Sequence, residues 1–216
     1  ETTQRFVRPD PDFRSIRQYS YEGKAEYTGL VLEARKRMSN RFFFSTNATI
    51  ARAFDQGDNF STQVEDPRFP EREYGTQVDT PRFRMTANGS YEINRFASVS
   101  AIFKARTGFA YDARAGSTVD LNGDGNFNDR VPGFERNSFR MPGNHSLDMR
   151  FTWNLPFGGA RRLQATVEAF NIYNRENIRT VDNQWGIDPS TPGPAFGTPL
   201  SYFNPREVQL GLRFVF

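Results

Sequence analysis

The sequence predicts an all-β fold in which antiparallel strands run up and down in one sheet, and three observations support it. First, apolar and polar residues alternate through the last ten positions, with only Val215 out of place; the apolar set is Val208, Leu210, Leu212, Phe214 and Phe216. Such alternation gives a strand with one apolar face and one wet face. Second, the same pattern recurs in six earlier stretches. Third, the segments between these stretches are alternately short and long.

The first four strands are predicted over residues 21–36, 42–54, 82–93 and 96–107. Apolar residues occupy mainly alternate positions in each stretch, and Val31 and Ile102 are exceptions. The apolar faces carry, in chain order, Leu30, Leu32 and Ala34; Phe42, Phe44, Ala48 and Ile50; Phe83, Met85, Ala87, Tyr91 and Ile93; and Ala97, Val99, Ala101, Phe103 and Ala105.

The last three strands are predicted over residues 144–155, 162–173 and 207–216. The first of these has the clearest alternation, with an apolar face of Leu147, Met149, Phe151, Trp153 and Leu155. The next places its apolar residues at Leu163, Ala165, Val167 and Ala169. The chain then ends on the terminal strand and its aromatic last residue.

The connections between these strands fall into two classes. The short turns lie near residues 37–41, 93–96 and 156–161, and the long loops lie near 55–80, 108–143 and 174–205. The long segments are rich in Pro, Gly, Asp and Asn, which is typical of loops. Residues 1–20 are also predicted to be a loop. Because consecutive strands are antiparallel, all short turns lie at one end of the sheet and all long loops at the other.

This topology favours a transmembrane β-barrel in the outer membrane of a Gram-negative cell. Strands of about 9–11 residues span that membrane, and its barrels have short periplasmic turns and long extracellular loops. The alternative is a soluble sandwich or lipocalin-like barrel, in which the apolar face would pack on protein. The chain starts at Glu1 and has seven predicted strands, whereas bacterial barrels have even numbers. We therefore expect residues 1–216 to be the C-terminal part of a larger barrel.

Composition excludes several other classes. Mean hydropathy is -0.70, and no apolar run approaches the roughly 18 residues of a transmembrane helix. The chain has 0 Cys, so neither disulfides nor thiolate metal sites are expected. Its 28 basic and 25 acidic residues are mixed along the chain, which argues against binding to nucleic acid.

Several motifs follow one another between residues 25 and 216. They are Tyr27-Thr28-Gly29-Leu30 before Arg35-Lys36-Arg37; the loop Asp120–Arg130, with Pro132-Gly133 and Arg136-Asn137 after it; Leu147-Asp148-Met149-Arg150; and Glu168-Ala169-Phe170-Asn171-Ile172-Tyr173-Asn174 before the terminal strand. In this order and spacing they resemble the C-terminal barrel region of TonB-dependent outer-membrane receptors. The resemblance is to the Oar-like group with carboxypeptidase-regulatory-like N-terminal domains.

The resemblance implies the last third of a barrel of about 22 strands with a plugged lumen. The plug domain, the TonB box and the signal peptide would lie upstream of this chain. It implies energised uptake of a scarce ligand, such as a ferric chelate, cobalamin, a glycan or a peptide. The implied partners are outer-membrane lipid, the rest of the barrel and its plug, and the TonB complex. The terminal strand resembles the signal that outer-membrane insertion machinery recognises. An adhesin or surface-interaction barrel and a passive porin remain alternatives.

One loop has the oxygen ligands of a calcium site, namely Asp120, Asn122, Asp124, Asn126, Asn128 and Asp129. Gly125 occupies the position of the sharp turn, but Val131 stands where an EF-hand loop needs a bidentate Glu. A bound Ca²⁺ would stiffen an extracellular loop. The alternative is a cluster of Asx turns, in which these side chains bond their own backbone. No other cofactor is expected.

No pattern of catalytic residues is present, and the chain is not expected to be an enzyme. His145 is the single histidine and is expected to have a structural or interfacial role. Asn171 and Asn174 are expected to end a strand.

Two further sets of residues follow from the assignment of faces. The charged residues expected to line the lumen are Glu33, Arg35, Arg82, Arg84, Lys104, Arg106, Asp148, Arg150, Glu168, Glu207 and Arg213. Aromatic residues expected in an interfacial girdle are Tyr27, Tyr91, Trp153, Phe157 and Phe216.

Overall fold

The structure is a computed structural model that describes residues 12, 19, 21–57, 63–156, 158 and 161–216. The polar loop predicted at residues 1–20 lies outside this range, apart from Asp12 and Tyr19, and so do residues 58–62 and Phe157. The strands are β1 (Ala25–Ser39), β2 (Phe42–Asp55), β3 (Gly75–Thr76), β4 (Phe83–Glu92), β5 (Ala97–Arg106), β6 (Ala110–Tyr111), β7 (Phe139–Arg140), β8 (Asn144–Pro156), β9 (Arg162–Phe170), β10 (Ile178–Val181), β11 (Pro199–Tyr202) and β12 (Glu207–Val215). A short 3₁₀-helix spans Pro70–Glu73.

Seven long strands form one antiparallel sheet in the order β1-β2-β4-β5-β8-β9-β12. Each long strand therefore pairs with the long strand next to it in sequence, which is an up-and-down meander. The prediction of an all-β, antiparallel, up-and-down fold with seven long strands is confirmed. The short turns and the long connections lie at opposite ends of the sheet, also as predicted.

Register places apolar and polar residues on opposite faces across the sheet. One row of paired positions is apolar over six strands: Leu210, Val167, Phe151, Val99, Tyr91 and Phe42. The adjacent row faces the other way and is mostly polar: Gln209, Glu168, Arg150, Ser100, Ser90 and Phe43. We call these two sides the apolar face and the polar face.

Protein does not cover the apolar face within the described residues. Leu210 is 80% exposed and Leu212 is 78% exposed. The buried apolar side chains are small and belong to the polar side or to the long connections: Ala51, Ala53, Ala110, Ala113, Ala115, Val131 and Val181. A soluble sandwich would bury its larger apolar side chains between two sheets. The sheet therefore lacks the packing that the soluble alternative requires.

The first strand is shifted toward the C-terminus relative to the prediction, because it begins at Ala25 instead of residue 21. It continues to Ser39, three residues beyond the predicted end, with an irregular register between Lys36 and Ser39. The turn consists of Asn40 (φ 53°) and Arg41 (φ 65°). Two central residues with positive φ form a tight hairpin whose twist matches its strands, so the strands continue up to the turn.

The sixth long strand, β9, is shorter than predicted, and the long connections hold structure that was not predicted. β9 ends at Phe170 because Asn171, the next residue, adopts a φ of 47°. The first connection contains β3, which pairs with the end of β2; the second contains the β6-β7 pair and the third the β10-β11 pair.

Candidate functional site

The three long connections form one packed layer at their end of the sheet, which we call the loop layer (residues 63–82, 107–143 and 171–206). Most of the buried polar residues in the described part of the chain lie in it. Because the strands that flank these connections are adjacent in the sheet, the connections lie side by side. Residues far apart in sequence therefore come into contact in the loop layer.

A buried ion network joins the first connection to the second. Arg130 pairs with Glu73 through two bonds, Nη1 to Oε2 at 3.1 Å and Nη2 to Oε1 at 3.0 Å, and it also pairs with Glu65. The Arg130 and Glu73 side chains are each 5% exposed. Two parallel bonds fix a guanidinium and a carboxylate in one geometry. The network therefore holds the two connections in a defined arrangement.

Arg136 fastens the same network to the sheet. Its Nη1 pairs with the Asp55 carboxylate at the end of β2 and donates to the carbonyl oxygens of Asp55 (2.9 Å) and Glu73 (3.3 Å). Gly75 in β3 permits this approach, because a Cβ there would lie 2.7 Å from the Cβ of Arg136. Asn137 donates its side-chain amide to the carbonyl oxygen of Thr76 at 2.7 Å. The second connection is thus packed over the end of β2.

The network shifts the pKa values of its two glutamates in opposite directions. Burial alone would raise the pKa of Glu73. Hydrogen bonds from Arg130 and from the backbone of Glu65, with the charges of Arg130 and Arg136, instead hold that pKa below its ordinary value. Burial raises the pKa of Glu65 despite its attraction to Arg130. Glu73 is therefore the stabilised anion of the network.

An aromatic cluster joins the second connection to the third. Trp185 contacts Phe196 with ring centroids 4.7 Å apart and Phe134 with centroids 4.8 Å apart, both edge to face. Phe139 and Tyr111 complete the cluster. Edge-to-face pairs add about 0.5–1.5 kcal/mol each to the effect of burial. The cluster makes the loop layer continuous across all three connections.

The Asp/Asn-rich loop uses its side-chain oxygens within the loop. Asp120 Oδ1 accepts from the backbone N–H of Gly123 (2.6 Å), and Asn122 Oδ1 accepts from that of Asp124 (2.9 Å). Asp124 Oδ1 accepts from Asn126 N–H (2.7 Å), and Asp129 Oδ2 from Leu121 N–H (2.6 Å). The bonds accepted by Asp120, Asn122 and Asp124 are local turns of the Asx type, the alternative to a calcium loop. The bond accepted by Asp129 instead joins the end of the loop to its start. Asn128 instead points its amide toward the first connection, with Nδ2 donating to Val64 O at 3.3 Å.

Calcium binding by this loop stays a prediction. No group of three or more His, Asp or Glu side chains in the described parts of the chain is arranged to hold a metal ion. Burial raises the pKa of Asp129, and the charges of Asp120 and Asp124 raise it further. A divalent cation would relieve that repulsion.

Titration calorimetry with millimolar calcium tests the calcium prediction on protein with this loop intact. A calcium site predicts a binding heat that Asp124→Asn reduces, because the substitution removes one of the charges that attract the ion. A matched Asp188→Asn change in the third connection should leave the heat unchanged. An absence of heat in the unaltered protein would contradict the site.

The polar face carries the charged residues that were predicted for the lumen. Glu33, Arg35, Arg84, Lys104, Arg106, Asp148, Arg150, Glu168, Glu207 and Arg213 lie on β-strands of this face, and Arg82 immediately precedes β4. Lys104 Nζ lies 3.2 Å from Asp148 Oδ2, and Arg150 Nε donates to Glu168 Oε1 at 2.7 Å. Such exposed pairs contribute about 0–1 kcal/mol each. They neutralise part of the face without fixing the fold.

A pocket of about 620 Å³ opens on the polar face where β4, β5 and β8 meet the third connection. Its charged lining residues are Arg84, Lys104, Arg106, Asp148 and Glu207. Asn177, which is 6% exposed, closes it on one side. The amide of Asn177 accepts from the backbone N–H of His145 (3.0 Å) and donates to its carbonyl oxygen (2.9 Å), so it pairs with β8 as a strand would.

Asn171 ends the strand as predicted, whereas Asn174 lies four residues beyond the last strand residue, Phe170. Both residues also hold the third connection in place. Asn171 Nδ2 donates to Arg175 O at 2.9 Å and its Oδ1 accepts from Arg175 N–H at 3.1 Å. Asn174 Oδ1 accepts from the backbone N–H of Arg206 at 3.0 Å. Both side chains therefore fix where the connection leaves and rejoins the sheet.

The single histidine lies on the apolar face. His145 is in register with Ala105, and its ring lies between Phe103 (6.3 Å between centroids) and Tyr173 (6.2 Å). These aromatic neighbours agree with an interfacial position for His145.

The prediction that Tyr27 belongs to the aromatic girdle is wrong. Tyr91 and Trp153 lie on the apolar face, but Tyr27 pairs with Ala53 on the polar face. Its ring covers Gly29, where a Cβ would lie 2.7 Å from the Tyr27 hydroxyl. Packing over a strand glycine therefore decides the position of this ring.

The ion network is the part of the site that sequence reasoning missed. Glu73 stood in a segment predicted only as a loop, and its partner Arg130 is 57 positions away. Arg130 and Arg136 do belong to the loop motif after residue 119, which was the one signal pointing to them.

The terminal strand occupies one edge of the sheet and pairs with β9 over its whole length. Val208, Leu210, Leu212 and Phe214 share its apolar face, and Phe216 follows its end. No helix in the described ranges is long and apolar enough to cross a membrane.

Comparison with protein families agrees with this architecture. A family model described as an outer membrane beta barrel domain matches residues 1–133, more than half of the chain. The match runs from the N-terminus through β5 and into the second connection. A comparison with curated proteins found no match. The chain belongs to the family of outer membrane beta barrel domains, and its location is the outer membrane.

Proposed function

We propose that this barrel segment belongs to a TonB-dependent transporter that takes up a scarce ligand across the outer membrane. The sequence motifs support this proposal, because two of them form structural anchors. The loop motif supplies Arg130 and Arg136 to the ion network, and the motif at residues 168–174 supplies Asn171 and Asn174. Motifs with structural roles are better markers of a shared architecture than short matches in exposed loops.

The observation that carries the proposal is the open sheet with a charged polar face. Within the described residues, the outer edges of β1 and β12 pair with no other strand. Since the bilayer does not tolerate open edges, we expect further strands to complete the barrel. Eight-stranded barrels are filled by their own side chains, whereas barrels of about 22 strands enclose a plugged lumen. A wide barrel is what a plug domain and energised uptake require.

Energised uptake tests the transporter proposal directly. Cells that lack the gene, and cells whose proton-motive force is dissipated, should both lose uptake of the same labelled ligand from a panel of ferric chelates, cobalamin, oligosaccharides and peptides. The unaltered cells are the control. Uptake that depends on the gene but not on the proton-motive force would favour a passive porin instead.

A surface-interaction barrel is the second candidate, and the loop layer favours it. The ion network and the aromatic cluster fix all three connections, and a rigid surface binds a partner at a low entropic cost. Loss of cell attachment with normal uptake in the deletion strain would support this function over transport.

The chain of residues 1–216 on its own is expected not to insert as a stable barrel. Its two edge strands would present unpaired N–H and C=O groups to lipid. The measurement is electrophoretic mobility before and after heating, with protease resistance, in detergent. The product of the complete natural gene is the control. A heat-modifiable, protease-resistant band from residues 1–216 would contradict the expectation.

A further inference from the structure

We propose that the pocket on the polar face is a binding site for a small oxyanion, a carboxylate or a phosphate, held by Arg84 and Arg106. The site deepens the proposed transport function by naming the chemistry of a solute in the lumen. It nevertheless rests on contacts that are independent of that function.

The two arginines are direct neighbours on adjacent strands. Arg84 of β4 and Arg106 of β5 occupy paired positions in the register, both on the polar face. Like charges at directly opposed positions destabilise a sheet. In the part of the chain that the structure describes, no carboxylate lies within 4.0 Å of either guanidinium, although Lys104 on the same wall is paired with Asp148. The paired positions therefore concentrate two uncompensated positive charges.

The Arg106 guanidinium is held in place but keeps most of its hydrogen-bonding capacity. It stacks on Phe109, with Cζ 3.8 Å from the ring centroid, and lies 5.9 Å from the centroid of Phe203. The single hydrogen bond it donates to the described chain is long, 3.5 Å from Nη1 to Thr107 O. A guanidinium stacked by its face offers its N–H edge to carboxylate or phosphate oxygens. Half-buried Arg106 is thus oriented without being neutralised.

The pocket also contains an acceptor without a partner. Asn144 is paired with Arg106 in the register, and its Nδ2 donates to Ile178 O at 3.1 Å. Its Oδ1 is buried and has no hydrogen-bond partner among the described residues. Leaving a buried acceptor unpaired is costly. An oxyanion that carries a hydroxyl could satisfy both groups, with its oxygens on Arg106 and its O–H on Asn144.

Titration calorimetry on the complete protein, purified in detergent at low ionic strength, tests the site. One arm uses inorganic phosphate and the other L-malate, so that the phosphate and carboxylate sources are distinguished. We expect saturable binding in at least one arm. Arg106→Gln and Arg84→Gln should each weaken it by about tenfold or more, since each removes charge-assisted hydrogen bonds. Arg213→Gln is the matched control, because it removes the same charge from the polar face of β12, outside the pocket.

Heat-modifiable mobility of each variant shows whether the barrel has folded. Two outcomes would overturn the site: no binding of either anion by the unaltered protein, or equal loss of affinity in folded Arg213→Gln and Arg106→Gln. Energised uptake without anion binding would overturn the site and leave the transporter proposal intact. Anion binding without energised uptake would support the site and contradict the transporter proposal.

Discussion

Replacing Leu212 by Arg is expected to destabilise the inserted barrel by about 2–4 kcal/mol, the cost of a basic side chain on the lipid face near the midplane. Leu212 is 78% exposed on the apolar face of the sheet. It is in register with Ala165, Ala165 pairs with Trp153, and Trp153 pairs with Ala97. A guanidinium there would face hydrocarbon with no acid beside it.

The matched control is Gln209→Arg on the same strand. Gln209 lies on the polar face, opposite Glu168, which would attract the new charge. We expect little change in stability. Urea unfolding of the complete protein in lipid vesicles, followed by heat-modifiable mobility, measures both variants. Equal destabilisation by the two substitutions would contradict the assignment of faces.

Glu73→Gln is expected to loosen the loop layer strongly. Removing one partner of a buried ion pair costs about 3–5 kcal/mol when the other charge is left without compensation. Arg130 would keep Glu65 and Arg136 would keep Asp55, so we expect a cost near or below the lower end of that range. Here Arg130 would lose its bidentate partner, and Arg136 would lose a carboxylate 3.9 Å from its Nε. Limited proteolysis and hydrogen exchange of residues 63–82 and 107–143 measure the loosening.

Glu65→Gln makes the same chemical change beside the same guanidinium and serves as the control. Burial raises the pKa of Glu65, so its surroundings stabilise the carboxylate less than those of Glu73 do. We expect a much smaller effect than at Glu73. Equal loosening by the two substitutions would show that Glu73 is not the anchor of the network.

Acid should act on the loop layer through Glu73 as well. Its folded-state pKa lies below the unfolded value, so its stabilising contribution is fully present above the unfolded pKa, about 4.3. That contribution is lost as the pH falls through the folded pKa. Protonation of Glu65 has the opposite effect on stability, because its pKa is raised in the folded protein and proton binding therefore favours the folded form. Protection of the loop layer against hydrogen exchange, relative to the intrinsic exchange rate, should therefore decrease as the pH falls below about 4.3, and Glu73→Gln should remove this pH dependence.

The seven long strands were predictable because side-chain direction has a period of two. In β8, alternation from Leu147 to Leu155 fixed both the strand and its faces, and the structure bounds it at Asn144 and Pro156. The order of the strands followed from short turns, which force neighbours in sequence to pair. Exact ends depended on backbone conformations that alternation does not reveal, such as the positive φ of Asn40 and of Asn171.

The loop layer was not predictable for two physical reasons. Its short strands, such as β6 and β7, have only two residues each and show no periodicity. Its stabilising contacts also join distant residues: Arg136 and Asp55 are 81 positions apart. No local pattern marks such pairs. The anion pocket could not be predicted for the same reason, because Arg84 and Arg106 become neighbours only through the register of β4 and β5.

Site-directed spin labelling along the terminal strand tests the central assignment most directly. Residues 1–216 contain 0 Cys. Single cysteines at each position from 207 to 216 can therefore be labelled one at a time in the complete protein in lipid vesicles, with any cysteine outside this chain replaced by Ser. Labels at 208, 210, 212 and 214 should be accessible to oxygen dissolved in lipid, and labels at 207, 209, 211 and 213 to a water-soluble nickel chelate. That alternation with a period of two is the result expected of a strand between lipid and an aqueous lumen. Uniform access of the nickel chelate to all positions would contradict it.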